Sequence, residues 1–243
     1  MKAKYLVAIV VLFCAIVTMA TMAIIMKSET TRLQKELAEK EAQIQVYKQA
    51  AEKAEKRSER VSNLVKTIKE IQSGNKSYSS QIPLLTNTEI HVVADLAVDF
   101  EDRNKWGASA EWILAIIQQE SLYHKYAISS HKCVGLMQLY PETAERVASS
   151  RSFEYNNLRD VRTNVQIGIW YFEDILDMTN GNVLLSLHKY NWGENTVVAL
   201  GTNDYPYRVK DYYSKYSERK ENGKKGVDKL EQPSVDRMGR LPT

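Results

Sequence analysis

Residues 119–138 read QESLYHKYAISSHKCVGLMQ, and the meaning of this stretch decides the fold. It opens as the end of an apolar helix whose preceding residues are Trp112, Ile113, Leu114, Ile116 and Ile117. Glu120 sits where that apolar pattern stops. A carboxylate at the rim of a packed core is either a solvated helix end or an acid whose pKa the core has tuned. Serines 121, 129 and 130 follow, then Gly135-Leu136-Met137-Gln138, in a chain that has only 10 glycines and 5 prolines in 243 residues. The surrounding chain has to say which reading of Glu120 holds.

Upstream, residues 5–26 (YLVAIVVLFCAIVTMATMAIIM) carry no charge. As a helix, such a run spans roughly 33 Å, about the hydrocarbon thickness of a bilayer. We therefore expect residues 1–27 to be a transmembrane signal-anchor. The rival is a cleaved signal peptide, whose apolar region would be unusually long and which here lacks a clean small-x-small cleavage site. Lys2 and Lys4 precede the run, whereas Lys27, Glu29, Arg32, Lys35 and Glu36 mix both signs after it. The bias favours a cytoplasmic N-terminus and an exported remainder, as for a single-pass protein of a bacterial inner membrane.

Residues 28–72 read as a helical stalk. Leu37, Ile44, Ala51 and Val65 fall at one heptad position, and Leu33, Tyr47, Ala54, Val61 and Ile68 at its partner. Lys40 and Ser58 interrupt that seam. Two readings stay open: a modest coiled coil through which two copies pair, or a single helix laced with i,i+4 ion pairs. Residues 73–87, which include SGNKSYSS and Gln81-Ile82-Pro83, have the composition of a linker. Apolar helical periods then crowd residues 88–216, the expected globular domain. The polar residues 217–243 are almost free of aliphatics and are expected to be disordered.

Composition excludes several functions. A net charge of +3 with no basic stripe interleaved with aromatics gives no support to a nucleic-acid partner. Two cysteines, Cys14 and Cys133, make no disulfide framework, and the four histidines show no metal-ligand spacing. No metal or organic cofactor is expected.

The order of motifs carries more. Ile-x-Gln-Glu-Ser ends at Ser121 and is followed by Ser129, then GLMQ-x-x-P-x-T-A from Gly135. Asn164-Val165-x-x-Gly168-x-x-Tyr171 and Tyr190-Asn191-x-Gly193 come next. Together these blocks resemble the soluble lytic transglycosylase domain of the goose-lysozyme-like superfamily, over roughly residues 90–216, with a weaker match of PYRVKDYYSKY (206–216) to its closing helix. The resemblance implies a mainly α, lysozyme-like domain with a sugar-binding cleft and one catalytic glutamate, here Glu120. It implies that Ser129 orients substrate or acid, that Gln138 and Met137 belong to the cleft and its wall, and that Tyr190 lies near the acid while Asn191 contacts sugar. Asn164 and Gly168 match positions that pack and turn helices, and Asp160 opens a block that caps one.

The residue types suit the chemistry. Breaking a glycosidic bond requires a proton on the leaving oxygen, and burial of a glutamate against apolar side chains such as Ile116, Ile117, Leu136 and Met137 raises its pKa to supply one. No second acid lies within the matched motifs. That pattern suits a substrate-assisted route. In the family, the N-acetyl group of N-acetylmuramic acid stabilises the cation and the same glutamate takes the proton from the C6 hydroxyl, closing a 1,6-anhydro ring.

Departures from the family pattern are local. Lys132 and Cys133 stand where it usually has Gly-Ala, and a lysine at a positive-φ site costs about 1 kcal/mol or needs another loop path. His124-Lys125 replaces Asn-Pro, and Lys189 and Trp192 replace small residues around Tyr-Asn. Trp192 is either a sugar-stacking platform or core. Ser129 and Ser130 either cap the next helix or serve the cleft, Met137 reads more readily as core than as contact, Cys133 as an inert free thiol, and the tyrosines at 205–216 as packing.

The expected function is a membrane-anchored peptidoglycan lytic transglycosylase acting on the β-1,4 bond between N-acetylmuramic acid and N-acetylglucosamine. Its expected partners are glycan strands and, through residues 5–26, the membrane. The alternatives are a lysozyme-type hydrolase of the same bond and a non-catalytic wall-binding scaffold.

Overall fold

A computed structural model of the chain describes residues 2–74, 84–197 and 204–231. It contains seven helices among the described residues: α1 (Lys2–Gly74), α2 (Asn87–Arg103), α3 (Ala110–Ser121), α4 (Pro141–Ser149), α5 (Val161–Met178), α6 (Val183–Trp192) and α7 (Tyr205–Glu231). Extended pairing among those residues is limited to isolated bridges from Val134 to Ile128 and Leu139. The mainly α class expected from the sequence is the one observed.

The chain divides into two compact units, Met1–Lys56 and Arg57–Thr243. The first is the N-terminal length of α1, unbroken because no proline or glycine interrupts it. It contains a window of mean hydropathy 2.7, long and apolar enough to cross a membrane by length and composition. Leu33, Leu37, Ile44 and Tyr47 are exposed along it.

The second unit takes in the last turns of α1. Leu64, Val65, Ile68 and Ile71 are buried in its core, with Val61 packed beside them. The heptad residues 61, 65 and 68 therefore face α1's own globular neighbours, and the unit begins well before the sequence-based boundary at residue 88. Asp95, Asp99 and Asp102, spaced on one face of α2, gather around Arg57 at 3.3, 3.0 and 3.5 Å. Arg60 reaches Glu101 at 2.6 Å and Glu111 at 2.7 Å. Glu111 is almost closed from solvent, so Arg60 is the cation that makes its burial tolerable.

Part of the expected linker is also structured. Leu85 is buried, and Thr86 forms a capping box with Glu89 at the start of α2. Residues 75–83 lie outside the described residues. At the other end, α7 continues to Glu231, past residue 217 where the polar tail was expected to begin; residues 232–243 lie outside the description. Polarity alone does not specify disorder, because Lys, Glu and Arg are themselves good helix formers.

The elements that build the site are tied together by backbone-directed bonds. α3 packs along α7, where Trp112 stacks on Tyr213 with centroids 3.8 Å apart. Asp160 caps α5 by accepting the Thr163 N–H at 2.9 Å. One turn in, Asn164 accepts the Met137 N–H at 2.8 Å and donates to the carbonyls of Val134 at 2.9 Å and Leu158 at 3.0 Å. Gly135 holds φ +81°, and a Cβ there would lie 2.3 Å from Asn164 Nδ2. Gly135→Ala is therefore expected to destabilise the domain by about 3 kcal/mol, through left-handed strain plus the displaced asparagine bonds. A urea-unfolding midpoint equal to wild type would contradict that account.

Candidate active site

Glu120 occupies the last turn of α3, where Leu122 and Tyr123 turn the chain with φ of 51° and 63°. Its side chain meets a cleft of about 580 Å³ whose lining also includes Ser129, Gln138, Tyr190, Asn191 and Trp192. Tyr205, at the start of α7, donates its hydroxyl to Glu120 Oε1 at 2.5 Å. Burial pushes the Glu120 carboxyl up to about 7; the Tyr205 hydrogen bond and the nearby Arg208 charge oppose that rise. The negative end of the α3 dipole works in the same direction as burial. Tyr190 and Tyr205 are pushed well above the usual phenol range, first by burial and then by the Glu120 charge, so both remain neutral donors.

Tyr190 donates to the Met137 carbonyl at 2.8 Å and packs against Tyr171, 5.2 Å away between ring centroids. Met137 itself does not face the cleft. Its side chain is fully buried over Gly168, where a Cβ would come within 2.4 Å of its sulfur. Of the two readings of Met137, cleft wall and core, its burial matches core: its backbone carbonyl accepts from Tyr190, and its side chain packs behind the cleft. Gly168 is the residue that lets α5 approach so closely.

Ser129 and Cys133 close a tight turn. The Ser129 N–H donates to the Cys133 carbonyl, and the Cys133 N–H donates to Ser129 Oγ, both at 3.0 Å. Lys132 holds φ +64° inside that turn. The lysine therefore keeps a left-handed backbone at the position where the family pattern has glycine, at a cost of about 1–2 kcal/mol. Ser129 does not cap the next helix, since the residue before α4 is Tyr140. Gln138, also left-handed at φ 46°, donates from Nε2 to the Gly135 carbonyl at 2.9 Å and the Ala127 carbonyl at 3.2 Å. It holds its own turn against the cleft. Asn191 is exposed on the α6 side, and Trp192 is 54 % exposed at the rim, which removes the core reading for that indole.

Five of the six residues expected at the site therefore line one cleft, and Met137 stands behind it. The residue that sequence reading missed is Tyr205, taken there as packing; its only signal was its place immediately before the PYRVKDYYSKY block. Glu120 is the one carboxylate in the described lining. Among the described residues no group of three or more His, Cys, Asp or Glu side chains is arranged to hold a metal ion.

A mainly α domain with a single tuned acid in an open cleft is the class that these features define. Residues 99–212 match the family model described as the Transglycosylase SLT domain. The chain is 27% identical over 150 residues to the membrane-bound lytic murein transglycosylase C of Haemophilus influenzae strain PittEE, covering 55% of this chain and 41% of that protein. It is 27% identical over 156 residues to the protein of the same name from Glaesserella parasuis serovar 5, covering 58% and 42%. It thus spans about two-fifths of the length of these relatives. Among solved structures it is similar to an inactive mutant of the lytic transglycosylase Slt of Pseudomonas aeruginosa, with TM-score 0.46, 21% identity, and 63% of this chain and 28% of that one covered. The 70 kDa soluble lytic transglycosylase of Escherichia coli matches with TM-score 0.36 and 24% identity over 54% and 23%.

Proposed function

We propose that the chain is a peptidoglycan lytic transglycosylase that cleaves the β-1,4 bond from N-acetylmuramic acid to N-acetylglucosamine, held at a membrane by residues 5–26. The observation that carries this reading is one protonatable carboxyl, Glu120, facing an open cleft and held by the Tyr205 hydroxyl. Near neutral pH a carboxyl of pKa about 7 is substantially protonated, whereas an ordinary glutamate is not. Glu120 gives its proton to the glycosidic oxygen as the C1–O bond breaks. The substrate's N-acetyl oxygen stabilises the positive charge at C1, so no second protein carboxylate is required.

The Glu120 carboxylate then takes the proton from the C6 hydroxyl, whose oxygen bonds to C1. The net products are a 1,6-anhydro sugar and a free 4-hydroxyl, with no water consumed. Tyr205 serves both stages: its O–H steadies the ionised carboxylate between them and limits how far burial raises the pKa. The apolar window of α1 and the membrane-bound relatives support the anchor, and Lys2 and Lys4 ahead of the run support a cytoplasmic N-terminus with an exported domain.

The test is release of soluble muropeptides from purified peptidoglycan by the full chain. Release is expected to fall as pH rises through about 7, where Glu120 loses its proton. Tyr205→Phe removes a donor that favours the charged form, so its alkaline limb is expected at higher pH with a lower maximum rate. A Tyr205→Phe profile superimposable on wild type would show that this hydroxyl does not act through Glu120. Absence of any release by the wild-type chain would remove the functional reading.

A further inference from the structure

Lys189 and Trp192, the large residues that flank Tyr190-Asn191, are joined by a bonded turn. Lys189 Nζ donates to the Glu194 carbonyl at 2.6 Å and the Thr196 carbonyl at 3.3 Å. Thr196 Oγ1 donates back to the Trp192 carbonyl at 2.8 Å, and the Thr196 N–H donates to the Gly193 carbonyl at 3.1 Å. The end of α6 is thus stapled to the turn that follows it. The Glu194 carboxylate leaves this turn to accept from Arg146 of α4 at 2.6 Å. Tyr140 lies just before α4, lines the same cleft as Trp192 and is 46 % exposed. A single ion pair therefore ties together the two cleft walls that carry exposed rings.

Single exposed hydrophobics are ordinary on a surface. Two aromatic rings left open to water inside one cleft with a single acid are a different matter, because such sites are lined by apolar faces that ligands cover. The flat face of an indole or phenol suits the axial C–H face of a pyranose ring. We propose that Trp192 and Tyr140 are stacking platforms for N-acetylhexosamine rings in the cleft they both line, and that Lys189 is the positioning residue that holds Trp192 at the rim. The inference rests on the glycan-cleaving reading of the cleft and names two of its sugar contacts. It also gives a reason for the pairing of two departures from the family pattern: the amine of Lys189 is spent on the turn that fixes Trp192.

The test uses the full chain in detergent, in the Glu120→Gln background so that nothing turns over, with tetra-N-acetylchitotetraose as the probe and calorimetry as the readout. Trp192→Ala is expected to weaken binding about tenfold and Tyr140→Ala somewhat less, whereas Trp192→Phe, which keeps a flat face, retains most of the affinity. Lys189→Ala is expected to weaken binding several-fold, and Lys189→Arg, which still reaches two carbonyls, to recover it. Equal affinities for the Ala and Phe variants at position 192 would overturn the platform, and equal affinities for Lys189→Ala and wild type would overturn the staple. Comparison of the Phe and Ala variants at matched melting temperature separates ring loss from misfolding. Failure here is distinct from failure of the functional reading. Glu120-dependent release with a silent Trp192→Ala sinks only the platform; weakened binding without any such release leaves the platform standing and sinks cleavage.

Discussion

Glu120→Gln is expected to reduce muropeptide release by about 10³-fold or more, because one residue supplies the acid of the first step and the base of the second. The amide is nearly isosteric and retains an oxygen for the Tyr205 hydroxyl, so folding is preserved. Stability moves the other way. In the native state the carboxyl titrates near 7, above its ordinary value of 4.5, because burial penalises its charge. Between those two values the folded chain binds more protons than the unfolded one, so stability falls as pH rises through that window and stays lower above it. The amide has no such loss. Glu120→Gln is therefore expected to melt at the same temperature as wild type near pH 4 and at a higher temperature at pH 8. An inactive variant that melts lower at both pH values would point to a structural role for Glu120.

The second large effect concerns where the globular unit begins. A chain started at residue 75 loses Leu64, Val65, Ile68 and Ile71 from the core, and with them the cation between Glu101 and Glu111. At roughly 1.5–3 kcal/mol for each buried aliphatic, about 6–12 kcal/mol of burial disappears. That is comparable with the whole stability of a typical domain, about 5–15 kcal/mol. The shortened chain is expected to be unfolded or to aggregate, whereas a chain started at Arg57 keeps all of these contacts and melts cooperatively. Within the intact unit, Arg60→Ala leaves the buried Glu111 carboxylate without this partner and is expected to lower the melting temperature clearly. Cooperative melting of the residue-75 chain at the wild-type temperature would show that the last turns of α1 are dispensable.

These two effects mark what the sequence makes legible and what it hides. Glu120, Ser129, Gln138, Tyr190 and Asn191 are readable because each belongs to a short motif, and the motifs occur in an order that a fold must bring together. Asp160 as a cap and Gly168 as a close-approach position are readable for the same reason. Tyr205 is hidden because its partner lies 85 positions away and a lone tyrosine before a proline has no periodicity to betray it. The fate of Val61, Val65 and Ile68 is hidden for a different reason. A heptad seam declares that one helical face is apolar, but not whether a second stalk or the chain's own domain covers it. Asp95, Asp99 and Asp102 share one face of α2, but only the packed structure shows that Arg57 of α1 is what they meet. Met137 shows the limit of motif reading within a single turn: Gln138 faces the cleft, and its neighbour is core.

The measurement that tests the central claim most directly is the mass of the products released from purified peptidoglycan by the full chain, with Glu120→Gln run in parallel. Intramolecular capture by the C6 hydroxyl predicts muropeptides one water lighter than hydrolysed ones, absent from the variant digest. Fully hydrated products lost in the same variant would keep Glu120 as the acid but assign the second step to water, contradicting the acid-then-base cycle proposed for this site.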